Sequence, residues 1–256
     1  MASEANAGPR QGVILAAGHG SRLAPITLHT PKPLVPFFGE SLLAHAAGHL
    51  ISSGVERIAV NCHHLWEPVA AYVQDVLAIR YPAVEWHISH EPDLLGTGGA
   101  LANLAQWLGD EAFWVVNSDA VFDADLAEMA TAHTRSGSDA TWMVTRAEHA
   151  RDLRVVELDE RGDVARINSP AQEHQVVFCG IHLAGRGLLE RLPAEGKSCV
   201  VREGYLPLVQ EGGRVHAWET TGFWADTGTP ERYLDAHTRG LAHLDRWRAL
   251  ADASPG

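Results

Sequence analysis

The sequence predicts an α/β fold in which helices flank a mixed, mainly parallel sheet. Short apolar runs rich in β-branched and aromatic residues alternate with stretches of helical spacing up to roughly residue 150. Such alternation is typical of right-handed βαβ units, whose binding loops lie at the carboxyl ends of the strands. Hydrophobic residues make up 46% of the 256-residue chain, which favours a single large domain, expected over residues 11–250.

The first part of the chain supplies the alternating elements. Apolar runs predict strands over Val13–Ala17, Arg57–Asn61, Val84–Ile88, Phe113–Asn117 and Ala140–Thr145. The spacing between them predicts helices over Ser41–Ser53, Leu65–Ile79, Gly99–Leu108 and Leu126–Arg135.

Beyond Arg151 the strand candidates follow one another more closely, which indicates a mixed or antiparallel arrangement. They are Leu153–Leu158, Val164–Ile167, Val176–Leu183 and Arg214–Ala217, and Arg161-Gly162-Asp163 predicts a hairpin turn between the first two. Helices are expected over Gly187–Leu192, Val201–Glu211 and Pro230–Leu250. The polar tails, residues 1–10 and 253–256, are expected to be disordered.

Composition excludes several classes of protein. The formal net charge of −12 gives a field that repels a nucleic-acid backbone, so no nucleic-acid partner is expected. We find no run of about 18 apolar residues, which predicts a soluble protein without a membrane partner. The three cysteines lie far apart and form no CxxC pair, so we expect a reduced, cytoplasmic protein without a zinc cage or a disulfide framework.

A glycine-rich loop follows the first strand directly, with the sequence Ala17-Gly18-His19-Gly20-Ser21-Arg22-Leu23. Its glycines let the backbone approach an anion closely and turn N–H groups toward it. Arg22 adds a fork of donors for phosphate oxygens, and Lys32, held between Pro31 and Pro33, adds a compact second charge. The segment therefore predicts a phosphate-binding loop.

Other interpretations of this loop fit less well. A dinucleotide-binding fingerprint requires a third glycine at position 23 and a helix, whereas Leu23 and three prolines follow. The P-loop string GxxxxGK[ST] does not occur. A simple turn with surface charges remains the alternative.

With Leu15, Ala16, Pro25 and Thr27, the loop resembles the signature of the sugar-1-phosphate nucleotidyltransferases, such as the mannose-1-phosphate guanylyltransferases and N-acetylmuramate-1-phosphate uridylyltransferases. The resemblance covers roughly Val13 to Asp235. It implies a Rossmann-like nucleotidyltransferase fold, with a nucleotide-binding half over about 11–150 and a sugar-phosphate half over about 151–250. It also implies Mg²⁺ as cofactor, a nucleoside triphosphate and a sugar 1-phosphate as substrates, and a monomer or homodimer.

The resemblance assigns roles to residues of the loop and of a second glycine-rich segment. Arg22 and Lys32 are the implied catalytic cations. The segment Glu91-Pro92-Asp93-Leu94-Leu95-Gly96-Thr97-Gly98-Gly99 resembles the loop that holds the base, although a tight strand-to-helix connection accounts equally well for its glycines. The nucleotide-binding candidates are Leu15, Ala16, Ala17, Gly18, Gly20, Ser21, Glu91, Gly96, Thr97 and Gly98.

Two aspartates are the implied metal ligands. Asp119 ends the fourth strand, and Asp226 lies in Trp224-Ala225-Asp226-Thr227-Gly228-Thr229-Pro230, which resembles a segment of the family. Mg²⁺ takes one or two carboxylates plus phosphate oxygens and water. The competing interpretation of Asp226 is a helix N-cap, the role also expected for Asp123 and Asp125.

The sugar-binding candidates are Asn117, Arg166, Cys179 and Gly180. Phe178-Cys179-Gly180-Ile181 resembles the strand on which a glycine lets the sugar lie close. Many relatives hold the sugar phosphate with a lysine just upstream, and Arg166 stands in that stretch here.

The expected reaction gives an NDP-sugar and pyrophosphate, with GTP favoured as donor, UTP next, and a mannose-like or heptose 1-phosphate as acceptor. Glu91 motivates the choice of guanine, because a carboxylate can accept hydrogen bonds from both the N1–H and the exocyclic amine of guanine. The alternative function is a non-catalytic regulatory homologue that binds a nucleotide sugar.

Overall fold

A computed structural model describes residues 8–146, 155–169, 175–245 and 247; the expected disordered tails therefore lie mostly outside the described residues. Numbered in chain order, the strands are β1 Gln11–Leu15, β2 Pro36–Phe37, β3 Glu40–Ser41, β4 Arg57–Cys62, β5 Glu85–His90, β6 Phe113–Asn117, β7 Ala120–Phe122, β8 Ala140–Arg146, β9 Val155–Leu158, β10 Val164–Ser169, β11 Val176–Ala184, β12 Val215–Glu219 and β13 Trp224–Asp226.

The α-helices are α1 Leu42–Ser52, α2 Trp66–Tyr72, α3 Ala78–Arg80, α4 Gly96–Asn103, α5 Ala105–Leu108, α6 Leu126–Ser136, α7 Arg186–Leu189, α8 Leu206–Gln210 and α9 Pro230–Gly240. A wider π turn over Val73–Leu77 interrupts the helix predicted over Leu65–Ile79, and another over Val200–Tyr205 forms the first half of the helix predicted over Val201–Glu211. No helix among the described residues is long and apolar enough to cross a membrane.

The chain forms two compact units. Among the described residues, the first unit comprises Arg10–Leu94, Val116–Asp123 and those from Phe223 onward, and the second comprises residues 8–9, Leu95–Val115 and those between Ala124 and Gly222.

The first unit contains the predicted βαβ alternation. Strands β1, β4 and β5 are parallel neighbours, and α1 and α2 connect them in the expected order. Helix α1 begins where the Ser41 hydroxyl accepts from the Ala44 N–H at 2.9 Å. The parallel strands and their helices confirm the predicted α/β class.

A two-stranded antiparallel ladder of β7 and β13 also belongs to the first unit, and the sequence does not predict it. Each strand has only three residues, which is too short for a recognisable alternation of apolar side chains. Asp226 pairs with Ala120 at one end of this ladder, and Trp224 pairs with Phe122 at the other.

An aromatic core holds the first unit together around Phe37, Phe223 and Trp247. Leu23, from the glycine-rich loop, is fully buried in this core. The loop is thus anchored by an apolar side chain beside its charged residue, Arg22.

In the second unit, β8 lies between β11, its antiparallel neighbour, and β12, its parallel neighbour. Strands β9 and β10 form the predicted hairpin, in which Gly162 has a φ of +78°. The Asp159 carboxylate accepts from the N–H groups of Arg161 and Asp163 and so closes this turn. These pairings confirm the mixed, largely antiparallel arrangement expected for this part of the chain.

Candidate active site

The glycine-rich loop uses its two glycines differently. Gly20 has a φ of +65°, and a Cβ there would lie 3.0 Å from both the Lys32 Cβ and the Thr27 Cγ2. The Thr27 hydroxyl donates to the Gly20 carbonyl at 2.8 Å. At Gly18, by contrast, an added Cβ would meet nothing within 4 Å. Gly20 is therefore required by local packing, whereas Gly18 leaves open space beside an exposed backbone.

The loop presents a guanidinium to solvent. Ser21–Leu23 form a 3₁₀ turn in which Leu23 is buried while Ser21 and Arg22 are exposed. The short turn thus fixes the backbone that carries Arg22, and the five donors of its side chain remain accessible.

Lys32 and Asp119 form an ion pair in which Nζ lies 2.5 Å from Oδ2. The two side chains are only 10% and 24% exposed. Lys32 lies in a 3₁₀ turn that begins after Pro31, so the backbone on which the ammonium is carried has little freedom. The structure therefore joins one predicted catalytic cation to one predicted metal ligand.

The β7–β13 ladder brings the two predicted metal ligands to neighbouring positions. Asp119 immediately precedes β7, and Asp226 ends β13 opposite Ala120. Thr227 donates to the Asp119 carbonyl from its N–H at 3.0 Å and from its hydroxyl at 2.9 Å. The main chain of one aspartate segment is thus bound to that of the other.

Asp226 has its own cationic partner. Its Oδ1 accepts from Arg232 Nη1 at 3.1 Å and from the Gly228 N–H at 2.8 Å. The N-cap of α9 is Thr229, whose hydroxyl accepts from the Arg232 N–H at 3.3 Å, so the helix-cap interpretation of Asp226 is wrong.

Of the two other aspartates expected to cap a helix, Asp125 does so by accepting from the N–H groups of Ala127 and Glu128. Asp123 does not cap: its N–H donates to the Phe223 carbonyl, and its carboxylate lies 3.9 Å from His243.

The side chains of Asp226 and Arg22 both lie against Gly228. An added Cβ at Gly228 would lie 2.7 Å from Asp226 Oδ1 and 3.3 Å from Arg22 Nη2. The first unit therefore gathers Arg22, Lys32, Asp119 and Asp226 in one constellation through direct or shared contacts.

Asn61 ties together the carboxyl ends of three parallel strands. Its Oδ1 accepts from the Ala16 N–H at 2.8 Å after β1, and its Nδ2 donates to Glu91 Oε1 at 2.7 Å after β5. Glu91 is only 1% exposed, and its N–H donates to the Cys62 carbonyl. Its carboxylate thus helps to position the loop after β1. Leu15, which precedes Ala16, is half-buried, and Ala17 is buried.

In the second unit, the glycines at the start of α4 pack against the segment Lys197–Val200. A Cβ at Gly96 would lie 2.5 Å from the Ser198 carbonyl oxygen, and one at Gly98 would lie 2.6 Å from the Ser198 Oγ. The Gly98 N–H donates to the Ser198 carbonyl at 2.9 Å, and the Thr97 hydroxyl accepts from the Val200 N–H at 3.0 Å. Close backbone packing is therefore one reason for this glycine run.

The predicted sugar-binding residues have different environments. Asn117 ends β6 in the first unit and is half-buried. In the second unit, Gly180 has a φ of +79° at an irregularity between β11 and β8. Its neighbour Cys179 is buried, and burial raises the pKa of the thiol well above its ordinary value. Arg166 is exposed, and its Nη1 lies 3.8 Å from Glu157 Oε2.

Sequence reasoning missed three residues that support this constellation: Asn61, Thr227 and Arg232. Thr227 lies within the recognised segment next to Asp226, so its position is a usable signal. Asn61 ends a predicted strand, where polar side chains collect. Arg232 lies one helical turn beyond a Thr-Pro helix start and had no comparable signal in the sequence.

The groups of this constellation that can bind a metal ion are the carboxylate oxygens of Asp119 and Asp226. Among the residues that the structure describes, no three His, Cys, Asp or Glu side chains are grouped to hold a metal by themselves. Two carboxylates, each of them bound to a cationic side chain, suit a Mg²⁺ ion that takes its remaining ligands from phosphate and water. The ammonium of Lys32 on Asp119 shows that this carboxylate accepts a cation.

Known proteins share this architecture. The nucleotidyl transferase family model matches residues 11–242. The mannose-1-phosphate guanylyltransferase catalytic subunit beta of Danio rerio is 31% identical over 235 residues, covering 87% of this chain and 62% of that protein, so the chain spans less than two thirds of the relative's length.

The mannose-1-phosphate guanylyltransferase of Mycobacterium tuberculosis is 29% identical over 247 residues, covering 95% of this chain and 67% of the relative. The crystal structure of HddC from Yersinia pseudotuberculosis complexed with GMP-PN superposes with a TM-score of 0.76 at 23% identity, covering 90% of this chain and 99% of that one.

Proposed function

Because the chain belongs to the nucleotidyl transferase family, we propose that it transfers a nucleoside monophosphate from a nucleoside triphosphate to a sugar 1-phosphate and releases pyrophosphate. The observation that carries this proposal is the constellation of Arg22, Lys32, Asp119 and Asp226, together with the open backbone of Gly18 in the loop that carries Arg22. Two cations and two carboxylates match what a triphosphate and its divalent cation require.

The reaction is an in-line displacement at the α-phosphorus. An oxygen of the sugar phosphate forms a bond to this phosphorus, and the bond to the bridging oxygen of the β-phosphate breaks. A phosphate oxygen is ionised at neutral pH, so the reaction needs no general base. Alignment of the two substrates and neutralisation of the growing charge supply the rate enhancement.

Residues of the first unit fit these tasks. The exposed Arg22 guanidinium is suited to bidentate contact with phosphate oxygens, and Gly18 leaves room for a phosphate against the backbone. Lys32 supplies a compact ammonium. In this proposal, Arg22 and Lys32 stabilise charge on the α-phosphoryl group and the departing pyrophosphate.

Asp119 and Asp226 would hold the Mg²⁺ ion. When bound, the ion supplies charge neutralisation on the phosphate oxygens. Thr227 supports this role by binding the Asp119 main chain, and Arg232 supports it by orienting Asp226.

For the donor we propose GTP, with UTP as the runner-up, and for the acceptor mannose 1-phosphate or a similar sugar phosphate. The relatives at 29% to 31% identity that carry the name mannose-1-phosphate guanylyltransferase support this choice. Glu91 gives less support to guanine than its residue type suggests, because its carboxylate is buried and bound to Asn61. We propose that Gly96, Thr97 and Gly98 contribute to base binding mainly through their backbone. Asn117, Arg166, Cys179 and Gly180 remain the proposed binding residues for the sugar 1-phosphate.

A coupled assay of pyrophosphate release tests the proposal, with GTP, UTP, CTP, ATP and dTTP each offered with a panel of sugar 1-phosphates. We expect the fastest release with GTP and a mannose-like acceptor. Faster turnover with UTP across the panel would overturn the choice of base. Tight binding of a nucleotide sugar without pyrophosphate release from any pair would identify the non-catalytic regulatory alternative.

A further inference from the structure

The Lys32 ammonium lies at the place where a divalent cation would bind Asp119. Nζ is 2.5 Å from Oδ2, and a Mg²⁺–oxygen bond spans about 2.1 Å. The ammonium neutralises the Asp119 carboxylate and lies within a few ångströms of a metal ion bound to either of its oxygens, so the two cations repel one another. Lys32 and a metal ion therefore compete for this carboxylate.

From this contact we propose that Lys32 keeps divalent cations off Asp119 until a triphosphate arrives, then moves to the phosphates and releases the carboxylate to the metal. The inference rests on the proposed function for the identity of the triphosphate. The competition itself concerns the protein and the metal alone.

The fold allows this exchange without a backbone movement. The Lys32 backbone lies in a short turn after Pro31, and its Cβ lies 3.0 Å from the position that a Cβ on Gly20 would take. The side chain therefore starts against the phosphate-binding loop and ends on Asp119. Its four-carbon stem can rotate the ammonium from one to the other.

The charges favour the same order of events. A triphosphate carries several negative charges and attracts the ammonium more strongly than a single carboxylate does. Once Lys32 leaves, Asp119 is a partly buried carboxylate without its cation, which is unfavourable unless a metal replaces it. Asp226 already has Arg232 at 3.1 Å, so a metal arriving alone would meet two carboxylates that are both neutralised. Metal binding and nucleotide binding are thus positively coupled.

Titration with Mn²⁺ in the absence of nucleotide, followed by the electron paramagnetic resonance of the free ion, tests the competition. We expect Lys32→Met to bind Mn²⁺ roughly tenfold more tightly than the parent protein, a typical size for coupling between sites. Lys32→Arg keeps the charge and should bind as weakly as the parent. Lys197→Met is the matched control, because Lys32 and Lys197 are the only lysines of the sequence and both changes remove one positive charge.

The gain in affinity must depend on Asp119. Adding Asp119→Asn to Lys32→Met should abolish the gain. Equal Mn²⁺ affinity in Lys32→Met and the parent, or a gain that persists in the double variant, would overturn the proposal. Failure of the parent to release pyrophosphate would instead overturn the proposed function, so the two failures are distinguishable.

A second measurement, by nuclear magnetic resonance, uses the unmutated protein, and a variant serves only to assign its signals. Reductive methylation with ¹³C-formaldehyde labels the two lysines and the N-terminal amine. Comparison with Lys32→Met identifies the Lys32 signal, and Lys197 serves as internal reference. Inorganic triphosphate without metal should shift the Lys32 signal, whereas Mg²⁺ alone at the same concentration should not. A Lys32 signal that follows Mg²⁺ alone, or that ignores triphosphate, would contradict the exchange.

Discussion

Thr227 donates both its N–H and its hydroxyl to the main-chain carbonyl of Asp119, at 3.0 Å and 2.9 Å. Thr227 is completely buried and directly follows Asp226. One residue thus binds the main chain of Asp119 to the segment that carries Asp226, although the two aspartates lie far apart in the sequence. Its two hydrogen bonds hold the two aspartate segments next to one another.

Thr227→Val should lower kcat/KM by about tenfold to a hundredfold, since small misplacements of a metal ligand impair alignment. Valine keeps the shape and the N–H but loses the hydroxyl donor, so the loss of stability should be only about 1 kcal/mol. Thr227→Ser keeps the hydroxyl and is the matched control. Steady-state kinetics and thermal unfolding of the three proteins check this, and equal activity in the valine and serine variants would show that the hydroxyl has no positioning role.

Gly18→Ala and Gly20→Ala should separate ligand binding from packing. At Gly18 an added methyl group meets nothing within 4 Å, so stability should change by less than about 0.5 kcal/mol while KM for the triphosphate rises about tenfold. At Gly20 the φ of +65° and the close contacts with Lys32 and Thr27 should lower stability by about 1–2 kcal/mol. Unchanged KM in Gly18→Ala would place the triphosphate elsewhere.

Asp119→Asn and Asp226→Asn should each abolish most turnover, and the double variant should be hardly worse than either, because all three disable one metal site. Their effects on stability should differ. Asp119→Asn leaves the buried Lys32 ammonium without its carboxylate and should lower stability by about 1–3 kcal/mol. Arg232 is 25% exposed against 10% for Lys32, so water compensates it better for the lost carboxylate and Asp226→Asn should lower stability less. If the loss of activity in the double variant equalled the product of the losses in the two single variants, the two aspartates would not share one ion.

Stability should fall below neutral pH because His182 is buried in a neutral form. Burial lowers the pKa of His182 to about 3, while the unfolded chain takes up a proton near pH 6.5. The folded state is therefore favoured fully above about pH 6.5 and loses stability as the pH falls from there toward 3. Between pH 7.5 and 5 this amounts to about 2 kcal/mol from His182 alone.

Thermal unfolding of His182→Gln across this pH range checks the assignment. The slope against pH should become shallower without vanishing, since burial also lowers the pKa of His45 and His133. An unchanged slope in His182→Gln would show that His182 does not titrate between the two states.

The sequence predicted those features that depend on local pattern. Strands β1, β4, β5 and β6, the loop from Gly18 to Leu23 and the constrained Lys32 follow from apolar runs, glycines and prolines whose effects act within a few residues. The β7–β13 ladder and the Arg232–Asp226 pair depend on segments that meet only after folding, so short-range patterns do not reveal them.

The glycines of α4 show a different limit. The run of glycines predicts that a ligand or another chain segment packs closely against their backbone. In the structure, the segment Lys197–Val200 packs there. A glycine run in a sequence indicates that another group lies close to the backbone, but it does not identify that group. Glu91 is similar: its residue type suits guanine, yet burial and Asn61 determine where its carboxylate lies.

The fate of labelled phosphate tests the central claim most directly. The protein would be incubated with mannose 1-phosphate, Mg²⁺ and GTP carrying ³²P at either the α or the γ position, and the products separated by chromatography. Transfer through the α-phosphorus predicts that the α label appears in an NDP-sugar and the γ label in pyrophosphate, with both products lost in Arg22→Ala. Label from the γ position in a sugar phosphate or in inorganic phosphate, with none from the α position in a nucleotide sugar, would contradict the account.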